Sequence, residues 1–509
     1  MKKLIFLIFL IIQINFIFAA QNFKMQMNKN STRQVSLDSN ELPPPDRPEP
    51  KDRKFTSEVI EKVIREVKEQ LADPVLALMF EQDFPNTLDT TVYYFGKNET
   101  TGRPDAFIIT GDIQAMWQRD STNQVLPYLP YVNEDQKLKD LIIGVINRQI
   151  HNVLIDPYAN AFNFKEQVSP FTTDNTTKLL PNNTRVQAMN PYIWERKYEI
   201  DSLAAVLKLQ VEFYEQSEGD DSFMHEDYFR SLEIIYQTLV ENQLGTKQED
   251  QVKRIPYTFQ REARNPTDTL SHGRQNLCTG QGGMIKSAFR PSDDACTFAY
   301  FVPGNAMLVT YLQKTADIIQ TKNPDLSQKL SQLAFQIKQS IYSKAITKDI
   351  NGNSVFAYET DGFGNHFKMD DANIPSLLSL PYLKFIDQDD PLYQNTRNMV
   401  LDSNQNPYYF SGKDGHGIGG PHVGDEYVWP MAIITRAITS NNDQEILECL
   451  EILKTTTAGT YFIHESFLAR DSNNFTREWF AWANTYFGEL ILDLLQRKPY
   501  LLTKKVSEK

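Results

Sequence analysis

From Ser57 onward the chain repeats one pattern, with apolar residues three and four apart and polar residues between them. Val59, Ile60, Val63, Ile64, Val67 and Leu71 form the first such face, behind Ser57 as an N-cap. Further faces are Leu138, Leu141, Ile142, Val145 and Ile146; Leu203, Val206, Leu207 and Val211; and Phe229, Leu232, Ile235, Tyr236 and Leu239. Leu326, Leu330, Leu333, Ile337 and Ile341 continue the series, and Phe487, Leu490, Ile491, Leu494 and Leu495 close it. Each face predicts a helix with one side buried. Strand-like alternation is nearly absent, Thr91 to Phe95 being the best candidate, and no strand–helix alternation points to a parallel sheet. About a dozen helices joined by long segments rich in Gly, Pro, Asp and aromatics predict an all-α toroid of helical hairpins. The hairpins share a pattern and no visible sequence identity.

The first 20 residues read differently. Lys2 and Lys3 precede an apolar run from Leu4 to Phe18, which ends at Ala19 and Ala20. That is the form of a secretory signal peptide. Gln13 and Asn15 interrupt the run, which is short for a span, so membrane insertion is expected only if the leader stays uncleaved. Residues 21–54 are polar and end in ELPPPDRPEPKDR, which predicts an extended, disordered linker. The folded domain is then expected over 55–509.

The net charge of -13 removes nucleic acid and anionic membrane surfaces from the expected partners, because both need a basic footprint. Sequons at Asn30, Asn98, Asn175, Asn182 and Asn474 join the leader in pointing to the secretory pathway, with the protein secreted or luminal in the Golgi or a lysosome-like compartment. The three cysteines, Cys278, Cys296 and Cys449, leave one thiol over, and a Cys278–Cys296 bridge is open in an oxidising compartment. No Cys or His spacing resembles a zinc site, and no metal or cofactor is expected.

The candidate chemistry falls between the periodic faces, in segments that read as loops. GDIQAMWQRDSTNQ carries Trp117, Arg119 and Asp120. YIWERKYEIDSL carries Trp194, Glu195 and Arg196. FRPSDDACTF sets Arg290 and two adjacent acids, Asp293 and Asp294, against an apolar run. YETDGFGNHFKMDDANIPSLLSLPYL carries His366, Asp371 and Asn373. GHGIGGPHVGDEYVWP carries His422 and Trp429, and HESF carries His464 and Glu465. Taken singly, any of these is equally a structural ion pair or an ordinary core aromatic. Taken together, isolated acids far apart in sequence and set among aromatics suit glycoside hydrolysis. That reaction needs one protonated carboxyl and one carboxylate on opposite faces of a sugar. No Gly-x-Ser-x-Gly elbow and no phosphate loop is present.

QAMWQRDS, YIWERKYEIDSL, SAFRPSDDA, MDDANIPSLLSLPYL, GGPH with YVWP, and HESF with REWFAWANTYFGE together resemble glycoside hydrolase family 125. The likeness runs in order from about residue 57 to 497. It implies an (α/α)6 barrel and a metal-independent exo-α-1,6-mannosidase that inverts the anomeric centre of a mannose-containing glycan. It implies a general acid in RPSDD, Asp294 or Asp293, with Asp294 favoured, and Glu465 as general base. Arg119 and Asp120 are expected to bind the sugar, with Trp117, Trp194, Glu195 and Arg196 walling it. Arg290, His366, Asp371, Asn373, His422, Trp429 and His464 are expected to reach the cleft. Another inverting glycosidase or a phosphorylase on the same barrel, or a glycan-binding protein without catalysis, are the competing readings.

Overall fold

Residues 42–280 and 283–503 are described by the structure, a computed structural model. The leader and the Asn30 sequon lie outside them. Thirteen α-helices occur among the described residues: α1 (Glu58–Gln70), α2 (Pro74–Asp83), α3 (Gln118–Val125), α4 (Gln136–Ile155), α5 (Ile200–Gln216), α6 (Glu226–Glu241), α7 (Thr246–Val252), α8 (Val302–Ile319), α9 (Pro324–Lys344), α10 (Pro391–Val400), α11 (Pro430–Ile438), α12 (Asp443–Thr455) and α13 (Ala481–Arg497). All six faces read from the sequence are among them, as α1, α4, α5, α6, α9 and α13.

The helices alternate between an outer and an inner ring. Buried helices α3, α5, α8, α11 and α13 form the inner ring, with α3 packed on α13 and α5, α5 on α8, and α11 on α13. The sixth inner place, between outer helices α9 and α10, is taken by residues 376–385, a buried run of turns. There the Tyr382 ring meets Tyr486 of α13 edge to face, and the Lys208 ammonium of α5 lies over it. This is the expected (α/α)6 barrel with one inner helix reduced to turns. First and last segments close the ring where Gly111 pairs with Phe480. Gly111 has φ +131°, and a Cβ there would meet the Trp479 carbonyl at 2.4 Å, so only glycine fits.

The two rings begin differently. Most outer helices start on a side-chain cap, including Ser57, Asp73, Asp135, Asn323, Asp390 and Asn442. The inner helices start on Trp117, Glu199, Phe301, Trp429 and Phe480, none of which caps with its side chain. The first N–H groups of an uncapped helix carry partial positive charge, which suits acidic surroundings.

One expectation changes, and the open cysteine pairing closes. The segment before residue 55 is not all linker, since the compact unit begins at Pro45. Arg47 donates to Asp89 at 2.7 Å and Glu61 at 2.6 Å, and Lys54 N to the Asp89 carbonyl at 2.9 Å. Proline stiffens this segment, and ion pairs dock it. Cys278 and Cys296 are separate buried thiols, as is Cys449. No helix among the described residues is long and apolar enough to cross a membrane.

Candidate active site

The RPSDD segment makes a tight turn. Arg290 N donates to the Asp294 carbonyl at 2.8 Å and Asp293 N to the Arg290 carbonyl at 2.9 Å. Asp293 sits at φ +69°, a conformation that aspartate tolerates better than most residues. The two acids therefore point different ways. The Asp293 side chain is 24% exposed and opens into a cavity of about 170 Å3 with Glu465 in its wall. The Asp294 side chain is 2% exposed. Its oxygens accept from Thr267 Oγ1 at 2.5 Å and Ser292 Oγ at 3.0 Å. The left-handed turn at Asp293 thus sets Asp293 toward the 170 Å3 cavity and Asp294 toward Thr267 and Ser292.

Behind Asp293 lies a buried charge cluster. Arg119, on the first turn of α3, reaches Glu199 at 2.5 Å, Asp201 at 3.0 Å, Asp120 at 3.6 Å and Asp293 at 3.9 Å. Asn160 Nδ2 donates to Glu195, Glu199 and Asp293, at 2.9, 3.1 and 3.3 Å. Lys197 Nζ donates to the Asp293 carbonyl at 2.7 Å. Burial, with the Asp293 and Asp201 carboxylates and against Arg119, pushes Glu199 well above the usual carboxylate range. Burial also works upward on Asp293, but Lys197, a hydrogen bond with Glu199 and Arg119 outweigh it and hold Asp293 low. Within this pair protonation thus favours Glu199, the inner carboxyl, over Asp293.

The rest of the cavity wall comes from the starts of inner helices: Trp117, Arg119 and Asp120 of α3, Trp429 before α11, and Phe480 before α13. Trp117 Nε1, Trp429 Nε1, Arg119 Nε and Asp120 Oδ2 are buried with no hydrogen-bond partner in the protein. Such groups are costly unless a ligand pairs them. Burial lifts the Asp120 carboxyl to about 6, Arg119 partly offsetting it. The pairing needs of two indoles, a guanidinium and a carboxyl around a small hollow match a polyhydroxylated ring.

Glu465 lines the same cavity from a separate segment, just before the strand Ser466–Leu468, which pairs with Tyr427–Val428 and Asp471–Thr476. Its Oε1 lies 3.4 Å from Arg477, whose guanidinium also binds Asp112 at 2.5 Å and stacks over Phe480. Asn373 and His422 complete the cavity. His422 Nδ1 stands 3.8 Å from Asp294. Asp371 accepts from Asn373 N at 3.2 Å and Nδ2 at 3.3 Å, so it orients Asn373 from behind.

Five predicted site residues lie elsewhere. Arg290 is buried on Glu359 at 2.6 Å and anchors the turn. Arg196 is fully buried between Tyr158 and Tyr257, bound to Asp156 at 2.8 Å. Trp194 packs edge to face on Phe171, outside the 170 Å3 cavity. His366 meets the Lys344 carbonyl at 2.9 Å in a hairpin. His464 stacks on Phe475 and bonds Thr457, which fixes the backbone leading to Glu465. Glu195 stands one layer back, between Arg261 at 2.8 Å and Asn160. Residues not singled out beforehand are Asn160, Lys197 and Arg477, and Glu199 stood out only as one of the charges at a helix start. Glu199, Lys197 and Arg477 sat in quoted motifs, whereas nothing around Asn160 marked it. Among the described residues no group of three or more His, Cys, Asp or Glu could hold a metal ion.

The sequence model of the family described as metal-independent alpha-mannosidase (GH125) matches residues 73–492. Meiotically up-regulated gene 157 protein of Schizosaccharomyces pombe is 43% identical over 470 residues, 91% of this chain and 90% of that one. A Streptococcus pneumoniae structure, described among metal-independent alpha mannosidases as a non-productive complex with alpha-1,6-mannobiose, is 35% identical with a TM-score of 0.79. The match covers 87% of this chain and all of that one.

Proposed function

This chain belongs to glycoside hydrolase family 125, the metal-independent α-mannosidases, and we propose that it releases terminal, non-reducing α-1,6-linked mannose from glycans with inversion. The observation that carries the reading is that Asp293 and Glu465 line one cavity from different segments, together with Trp117, Arg119, Asp120 and Trp429, each of which has a buried polar atom without a partner. The mannobiose bound by the pneumococcal relative supports the linkage.

In this reading the terminal mannose occupies the cavity, and Trp117, Arg119, Asp120 and Trp429 take its hydroxyls. The proton held between Glu199 and Asp293 passes through Asp293 to the glycosidic oxygen. Glu465 takes a proton from a water on the other face, and that water attacks C1 as the C1–O bond breaks. The products are β-mannose and the shortened glycan. Glu199 then recovers the proton for Asp293 from solvent.

Release of mannose from α-1,6-mannobiose, abolished in Glu465→Gln and in Asp293→Asn while the sugar still binds, is the direct test. Full activity in both variants would remove these residues from the chemistry. The leader and the sequons support passage through the secretory pathway, with Asn175, Asn182 and Asn474 exposed.

A further inference from the structure

Beside the reaction cavity lies a larger one of about 500 Å3, and His422 lines both. Asp294, turned away from the first, lines the second. Its outer wall comes from residues 170–173 and 261–265, two segments far apart in sequence and firmly joined. Asn175 and Gln260 exchange backbone hydrogen bonds at 2.7 and 3.3 Å. Arg261 grips both oxygens of Asp174 at 2.8 and 2.9 Å and lies 3.9 Å over the Phe171 ring. Arg261 also holds Glu195, which Asn160 ties to Asp293. The wall is therefore preformed and continuous with the support of the acid.

What it presents is an aromatic ring, Phe171, with Thr172, Thr173, Glu262 and Arg264 around it. Among the described residues the Glu262 carboxylate and the Arg264 guanidinium have no side-chain partner. Both charges together disfavour a phosphate or a carboxylate sugar and suit neutral hydroxyls. The volume is about three times that of the reaction cavity, more than one leaving sugar needs.

We propose that this second cavity binds the sugar residues beyond the two joined by the cleaved bond, so that the chain selects a neutral oligosaccharide of three or more residues over a disaccharide. The proposal rests on the hydrolytic reading for its orientation. Binding at the shelf is fixed by the preformed wall and costs little ordering on association.

The test compares α-1,6-mannobiose with a neutral, branched manno-oligosaccharide ending in α-1,6-mannose. The native full chain should show at least a tenfold higher kcat/KM on the larger glycan. Phe171→Ala and Arg264→Ala should erase that advantage and leave mannobiose turnover unchanged. Because Phe171 also packs on Arg261, Arg264→Ala is the deciding variant. Calorimetric binding of the larger glycan to the same variants on a Glu465→Gln background reads the shelf without turnover. Weaker binding in Arg264→Ala supports the shelf even if no mannose is released, in which case the hydrolytic reading alone falls. Equal kcat/KM on both glycans, with binding indifferent to both substitutions, overturns the proposal.

Discussion

The carboxyl of Asp293 is in hydrogen-bond contact with that of Glu199, and one guanidinium, Arg119, lies 3.9 Å from the first and 2.5 Å from the second. Two buried carboxyls in contact do not both ionise readily. Glu199 is tied to Arg119, Asn160 and Ser202, while Asp293 keeps a side open to the cavity. In the proposed mechanism the inner carboxyl stores the proton and the outer one presents it.

Glu199→Gln removes the store. Asp293 would then ionise at lower pH under Lys197 and Arg119, so the proton would be lost earlier as pH rises. The high-pH limb of kcat/KM on mannobiose should move down by about one pH unit or more. An aryl α-mannoside with an acidic leaving group needs no proton and should keep its kcat. An unmoved limb would leave Glu199 with a purely structural role.

Asp293→Asn should cost about 10²–10⁴ in kcat on mannobiose and far less on the same aryl mannoside. Asp294→Asn disturbs acceptors for Thr267 and Ser292 and should cost about tenfold. Rate measurements on both substrates decide between them. A deeper, leaving-group-dependent loss in Asp294→Asn would reverse the assignment.

Asp120 should set the low-pH limb. Its folded value is raised to about 6, so it is ionised above that pH and takes a proton below it. A neutral carboxyl accepts sugar hydroxyls poorly, and KM should rise as pH falls through about 6. Asp120→Asn should raise KM at neutral pH and flatten this dependence. A KM limb that persists in that variant would place the titration on another group.

The six amphipathic helices were legible because each has one polar face. Three inner helices were not, for two different reasons. α3, QRDSTNQV, reads as a polar loop, yet all eight residues are buried, their polar groups serving the site. α8 and α11 are apolar nearly all round, so no stripe appears. The same cause hid part of the cavity wall, which sits at the starts of inner helices, whereas Asp293 lies in a turn and Glu465 just before a strand. The motif around Asp293 and Asp294 was visible, but which acid faces the cavity depends on a positive φ that spacing does not encode. Asn160 joins Asp293, Glu195 and Glu199 only through folding, and His366 and Arg196 resembled site residues because buried structural polar groups use the same residue types.

Arg47 tests the docked strap. Its side chain is 7% exposed and that of Asp89 4%, and removing the cation leaves that buried acid with Arg53 alone, at 3.6 Å. Arg47→Ala should lower the urea unfolding free energy by about 2 kcal/mol. A change under about 0.5 kcal/mol would return residues 45–54 to the status of linker.

Proton NMR of the anomeric region, recorded as the protein acts on α-1,6-mannobiose, tests the central claim most directly. A water placed by Glu465 opposite Asp293 must give β-mannose first, with the α anomer growing only by mutarotation. Early α-mannose would mean retention, and Glu465 could not be the base described here.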